Sequence, residues 1–291
     1  MLNRAVGALL LVTAVSAALA AAPISAVDSR GVRLTLSSPP QRIVSLSPGT
    51  TEMLFALGLK GRIVADTTYC DYPPEAKALP KIGDVNTSVE KVLAQRPDLV
   101  VADVVANRRA IEPLERVHAP VFTVPQANMA QTYDALRMLG TATGQSKQAE
   151  QLIKSLRERA GAIQKAANQD SKRPKVLTIV QMEPLMVVGG GNFMDDLITL
   201  AGGTNAGRAA GTGWVAYSPE QVVAAQPDII LAGRSGAAQI LNRGGWATVP
   251  AVRNKAVFSM KSETARPGPR MIEALSELAH LLHPAAKFPK Q

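Results

Sequence analysis

Two stretches of the chain, 130 residues apart, repeat one another: residues 88–102 read SVEKVLAQRPDLVVA and residues 218–232 read SPEQVVAAQPDIILA. Seven of the fifteen aligned positions are identical, and four more exchange one aliphatic side chain for another. Each copy carries the same local instructions. Ser88 or Ser218 caps a helix by accepting a first-turn backbone N–H, and Pro219 suits the first helical position. The Pro-Asp pair ends the helix, and the apolar run that follows reads as a strand. Two copies at so long a period exclude a solenoid of short repeats. They point to two related α/β units within 291 residues, a length that suits two lobes.

The rest of the chain fits that division. Strands are predicted at Arg42–Leu46, Arg62–Ala65, Leu99–Ala102 and Val121–Val124, then at Lys175–Val180, Met186–Val188, Ile229–Ala232 and Lys255–Phe258. They are near-continuous apolar runs, as expected of strands covered on both faces. Helices are predicted between them, at Thr51–Leu57, Val89–Gln95 and Asp195–Leu200. The alternation specifies an α/β fold with mostly parallel sheets. From Met129 to Asn168 there is no strand signal. Leu152, Ile153, Leu156, Ala160 and Ile163 recur there at helical spacing, and Gly140 to Gly144 divides the stretch in two. The second part, from about Lys147 to Ala167, is a helix of roughly 30 Å. The expected architecture is therefore two similar lobes joined by one long backbone helix, with a ligand cleft between them. The boundaries are residues 1–26 for a leader, 27–140 for the first lobe, 141–172 for the linking helix and 173–291 for the second lobe.

Arg4, an apolar run from Ala5 to about Ala22 and small-residue sites at Ala18-Leu19-Ala20 or ending at Ala26 have the pattern of a cleaved signal peptide. Export to the periplasm is the expectation. No cysteine lies near the cleavage region to carry a lipid, and the one cysteine, Cys70, has no internal partner.

Composition removes several functions. A single Cys and three scattered histidines, His118, His280 and His283, offer no zinc cluster and no His-x-x-x-His pair. There are 32 Lys and Arg against 23 Asp and Glu, a formal charge of +9, but the cations are spread along the chain. No basic stripe with interleaved aromatics suggests nucleic acid. No Gly-x-Ser-x-Gly elbow or triad is present, so catalysis is not expected. Gly189-Gly190-Gly191-Asn192 lacks the Lys-Ser/Thr of a phosphate loop and reads as a turn before a helix. An exported α/β hydrolase using Cys70 would need a His partner that the sequence does not place beside it, whereas a sensor or adaptor for a membrane protein would share the same architecture.

The segment RIVSLSPGTTEMLFALGLKGRIVADTTYCDYPPEAKALPKIGD, the repeat, and ARPGPRMIEAL near the end resemble the periplasmic binding proteins of ABC importers. The likeness is to the helical-backbone group that carries cobalamin, iron–siderophore complexes or haem, and covers about Gln41 to His283. Tyr69-Cys70-Asp71-Tyr72-Pro73-Pro74 is most similar to the vitamin B12-binding branch. The resemblance implies a monomer that captures a metal chelate, cobalamin favoured over ferric siderophore or haem. It would hand the chelate to an inner-membrane permease dimer driven by an ATPase, without a cofactor of its own.

The resemblance also assigns residues. Glu90 and Glu220, equivalent in the repeat, would meet arginines on the permease dimer. Each also suits a helix first turn for its dipole alone. Tyr69 and Trp214 match aromatic ligand contacts. Five of the six Tyr and Trp residues (Tyr69, Tyr72, Trp214, Tyr217 and Trp246) fall in predicted loops, where a flat apolar chelate finds walls. Tyr72 suits packing before its two prolines, and Tyr217 a hydrophobic staple. Arg266, before a Pro-Gly turn, can present a guanidinium to ligand oxygens, while Arg270 suits pinning the last helix. Glu183 follows a second-lobe strand as a further cleft candidate. Where the vitamin B12-binding proteins offer a tryptophan wall, this chain has Gly83-Asp84-Val85-Asn86-Thr87, and Asp84 is the candidate contact there.

Overall fold

The computed structural model describes residues 23–84, 86–233, 236–259 and 266–289. Strands β1 (Ile24–Val27) and β2 (Arg33–Leu36) pair as an antiparallel hairpin. Ser29 N–H donates to the Thr123 carbonyl at 3.0 Å, and Thr123 Oγ1 donates to the Asp28 carboxylate at 2.7 Å, which fastens the hairpin to the first lobe. The expected leader lies outside the described residues as far as Ala22. Its last positions do not, because Ala26 is buried inside β1.

The first lobe continues as β3 (Ile43–Ser45), α1 (Pro48–Ala56), β4 (Ile63–Ala65), α2 (Val89–Ala94), β5 (Leu99–Asp103), α3 (Arg108–Arg116) and β6 (Val121–Val124). Its sheet is wholly parallel, in the order β4-β3-β5-β6. Two helices follow, α4 (Met129–Thr143) and α5 (Ser146–Ala167). The break between them is Gly144, in the left-handed region at φ 73°. At 22 residues, α5 is about 33 Å long. It occupies the middle of the expected 141–172 span.

The second lobe comprises β7 (Lys175–Met182), β8 (Leu185–Val188), α6 (Phe193–Leu200), β9 (Thr204–Asn205), β10 (Trp214–Ala216), α7 (Pro219–Ala225), β11 (Ile229–Ala232), α8 (Gly236–Leu241), α9 (Pro250–Arg253), β12 (Val257–Ser259) and α10 (Met271–Leu282). Its sheet runs β10-β8-β7-β11-β12, with β9 on the start of β7. Here the sheet is mixed. β7, β11 and β12 are parallel, but the two-residue turn Glu183-Pro184 folds β8 back antiparallel, and β10 follows antiparallel to β8. The fold is the α/β arrangement with mostly parallel sheets that the alternation specifies; which strands run antiparallel is not readable from the sequence, because an apolar run does not reveal its direction.

The repeat is visible in detail. Ser88 and Ser218 accept N–H groups from Lys91 and Gln221, each at 3.2 Å. Arg96 and Gln226, at the ends of those helices, both turn through the left-handed region at φ 49° and 45°. The next aspartates hold the start of the neighbouring strand. Asp98 accepts the N–H groups of Gln41 and Arg42, and Asp228 accepts that of Lys175. The Pro-Asp pair is therefore a clamp between adjacent strands as well as a helix stop.

One contiguous apolar cluster runs through the molecule. It includes Ile43 and Leu99 of the first sheet, Ile153 and Leu156 of α5, Leu275 of α10, and Val176 and Ile229 of the second sheet. Separate clusters fill the outer face of each sheet, and Trp246 sits in the second of them, 1% exposed. That indole is a core residue, although its segment is a loop as predicted. Among the described residues no helix is long and apolar enough to cross a membrane.

Candidate functional site

Tyr69 stands on the loop after β4, where open parallel sheets offer ligand-binding loops. The loop is held from below. Lys81 Nζ donates to Asp66 at 2.5 Å and to the carbonyls of Cys70 and Ala76. Burial pushes the Asp66 carboxyl up to about 6, with Lys81 opposing the shift. Cys70 is buried, its Sγ within 3.2 Å of the Thr51 and Thr67 hydroxyls, and burial raises its thiol further. A buried thiol of that kind is inert. With its base so braced, the Tyr69 side chain is left 53% exposed.

The segment before α10 reaches across to this loop. Arg266 Nη1 donates to Asp71 Oδ1 at 2.9 Å and to the Tyr69 carbonyl at 3.4 Å. Four residues on, Arg270 pairs with Glu52 of α1 through two bonds, at 2.5 and 2.9 Å, and lies 3.9 Å from the Tyr72 ring centroid. Burial raises the Glu52 carboxyl, and Arg270 opposes it. Tyr72 thus has the packing role that its prolines suggest. Between the arginines, Pro267 lies close over Gly49. A Cβ at Gly49 would overlap the Pro267 carbonyl oxygen and Gln126 Oε1.

Trp214 is 72% exposed and lies on β10, not in a loop as predicted. Three residues on a sheet edge are too short for periodicity to register. Its ring borders a cavity of about 280 Å³, with Thr178, Val180, Val188, Phe193, Ala127 and Pro267 among the walls. Ala127 follows β6 of the first lobe, so both lobes and the Arg266-Pro267 segment contribute. Asp84 and Trp214 stand at the same position of the repeat, each after a positive-φ glycine, Gly83 at 124° and Gly213 at 74°. Thr68 N–H bonds to the Gly83 carbonyl, which sets Asp84 beside the Tyr69 loop. Asp84 accepts the Asn86 N–H at 2.7 Å. Arg266 thus touches the Tyr69 loop, with Asp84 beside that loop, while the next residue, Pro267, shares a cavity with Trp214.

Glu183 does not join them. It occupies the exposed tip of the β7–β8 hairpin and borders a separate cavity with Met182, Gln239 and Arg243. Val188, not Glu183, is opposite Trp214, and the tip lies about 15 Å further along the strands. A cavity of about 440 Å³ lies elsewhere. It lies between α1 and α5, beside the Glu52–Arg270 pair.

Glu90 and Glu220 are fully exposed at the starts of α2 and α7. The Glu90 carboxyl is lowered by its own backbone N–H and then by the Ser88 hydroxyl at 2.9 Å. For Glu220 the Ser218 hydroxyl contributes most, followed by the backbone N–H. Both present a stable negative charge. Asp71, Glu52, Gln126 and Thr178 carried no motif, and contacts across 195 and 218 residues are not local signals. Among the described residues no three His, Cys, Asp or Glu side chains converge as metal ligands.

The geometry has counterparts. The family described as "Periplasmic binding protein" matches residues 43–264. An "Uncharacterized ABC transporter substrate-binding lipoprotein YvrC" of Bacillus subtilis is 34% identical over 271 residues, 90% of this chain and 86% of that protein. A "Vitamin B12-binding protein" of Salmonella paratyphi A is 32% identical over 250 residues, 83% of this chain and 90% of its own. Among solved structures, the periplasmic heme-binding protein RhuT from Roseiflexus sp. RS-1 superposes with a TM-score of 0.77 at 29% identity, covering 85% of this chain and 99% of that one. With its two lobes and most of its length so matched, the chain belongs to the periplasmic binding proteins, as a substrate-binding protein of an ABC transporter.

Proposed function

We propose that this protein captures a metal chelate, cobalamin in preference to ferric siderophore or haem, in the periplasm, and delivers it to an ABC permease without catalysing a reaction. The observation that carries the reading is a pair of exposed aromatics, Tyr69 in the first lobe and Trp214 in the second, the latter bordering an apolar cavity. Arg266-Pro267 lies between them. Large rings with mostly apolar walls and few polar groups suit a flat macrocycle better than a bare ion or a sugar. The vitamin B12-binding relative supports cobalamin. Glu90 and Glu220, held ionised at equivalent helix starts, suit two equivalent basic pockets of a permease dimer. No resident cofactor is needed, and the protein acts as a monomer.

Haem is the second reading, favoured by the free phenol of Tyr69, an axial ligand type for haem iron. The test is the absorbance spectrum and mass of any chelate retained on purification, followed by titration with cyanocobalamin, haemin and ferric hydroxamates. Trp214 is the exposed indole, so quenching of its fluorescence reports binding at the cleft. Cyanocobalamin that gives no quenching at micromolar concentration rejects the cobalamin preference. Silence towards all three rejects the chelate reading.

A further inference from the structure

The cavity beside Trp214 has mostly apolar walls, with Thr178 and Asn192 as the polar side chains beside the indole. Thr178 of β7 lines it and is 7% exposed, yet its Oγ1 has no hydrogen-bond partner among the described residues. Gln126 precedes the lining residue Ala127 and is 6% exposed, and its Nε2 has no partner there either. One belongs to the second lobe, the other to the chain leaving the first. Their neighbour Asn192 is different. Its Oδ1 accepts the N–H groups of Met194 and Asp195, and its Nδ2 donates to the carbonyls of Gly189 and Gly213. Buried polar groups without partners are destabilising, and native folds keep few of them.

The surroundings select the kind of ligand atom. Among the described residues no charged side chain lines the cavity. Helix α6 begins at its wall, but its first N–H groups are engaged, Phe193 with the Ala127 carbonyl and the next two with Asn192. Asp195 and Asp196 add negative charge to that first turn. The cations beside it are committed, Arg266 to Asp71 and the Tyr69 carbonyl, and Arg208 to Asp195. A carboxylate entering here would lose its hydration without gaining a cation.

We propose that Thr178 and Gln126 are specificity-determining residues that hydrogen-bond an uncharged, oxygen-bearing side arm of the ligand, an amide in preference to a carboxylate. This rests on the chelate-binding reading above. It separates chelates by their rims: cyanocobalamin carries neutral amide arms, haemin carries carboxylates, and ferrichrome is a neutral tris-hydroxamate complex with peptide amides on its rim.

The experiment compares the full chain with Thr178→Val, Thr178→Ser and Gln126→Leu by calorimetric titration with these three chelates, and by thermal melting without ligand. Thr178→Val is expected to weaken cyanocobalamin binding about tenfold, the effect of one lost hydrogen bond. Thr178→Ser restores the affinity, and Gln126→Leu weakens it in the same direction. Without ligand, Thr178→Val is expected to melt about 2–4 °C higher, since an unanswered hydroxyl is removed. Wild-type affinity in Thr178→Val, or a ligand-free melting point at or below that of the wild type, overturns the assignment. A wild type that ignores cyanocobalamin but binds ferrichrome, with the same tenfold loss in Thr178→Val, rejects cobalamin and sustains the assignment. A wild type that prefers haemin rejects the neutral arm and leaves the chelate role in place.

Discussion

Replacing Arg270 by Met isolates the contact that holds the cleft segment to the first lobe. The guanidinium makes two bonds to Glu52, at 2.5 and 2.9 Å, with the two side chains only 11% and 4% exposed. Removing one partner of a buried pair leaves the other charge uncompensated, which costs about 3–5 kcal/mol at neutral pH. For a chain of this size that is a fall in Tm of about 6–20 °C. The loss carries a pH signature. Burial already raises the Glu52 carboxyl, and Arg270 is the main influence holding it down. Without Arg270 it rises further, and the folded protein takes up a proton. A raised carboxyl contributes stability that is fully present below its unfolded value and is lost as pH rises through its folded value. The deficit relative to wild type is therefore expected to be larger near pH 8 than near pH 5. Denaturation of both proteins at the two pH values measures it. The double variant Glu52→Met/Arg270→Met, with no charge left to bury, is expected to recover most of the loss. Equal deficits at both pH values, or a double variant no better than the single one, would refute the reasoning.

Asp66→Asn tests the brace beneath Tyr69. With its carboxyl up at about 6 from an ordinary 3.8, Asp66 contributes stability that fades as pH rises through that window, about 2 kcal/mol after a discount for screening, and the variant lacks this slope in denaturation against pH. Gly49→Val forces a side chain into the Pro267 carbonyl and Gln126. It is expected to destabilise by about 1–3 kcal/mol and to weaken chelate binding, both measurable on one preparation. Glu90→Ala/Glu220→Ala is expected to slow permease-coupled uptake while the chelate Kd stays unchanged; uptake at the wild-type rate removes the docking role. Because β1 is paired from Ile24, the mature N-terminus measured by intact mass is expected at or before that residue.

The inner strands β3, β5, β6 and β11 were legible because each is an apolar run buried on both faces, and the long helix because Ile153, Leu156, Ala160 and Ile163 mark one face through three turns. The repeat located equivalent helices and caps, but not the strand clamps at Asp98 and Asp228. Direction was not legible: the turn at Glu183-Pro184 reverses the chain, carries Glu183 away from the cleft and makes the second sheet mixed. Nor was β10, a three-residue edge strand, and with it the setting of Trp214. Aromatic counting could not separate Trp214 from Trp246, because one indole is exposed and the other fills a core. Arg266 was found from its Pro-Gly context, but its partner Asp71 was not. Thr178 and Gln126 leave no trace in sequence, since lacking a partner when buried is a property of the folded neighbourhood alone.

The apolar cluster that passes from Ile43 through Ile153 and Leu275 to Val176 leaves no seam along which the lobes could separate on heating. The two halves of the repeat should therefore melt together, in a single heat-absorption peak, and a lesion in either should lower the melting of both. The same continuity makes α5 a spacer that resists changes in the gap between the lobes. A receptor that must tell a loaded copy from an empty one is then expected to sense the contents of the cleft at its rim.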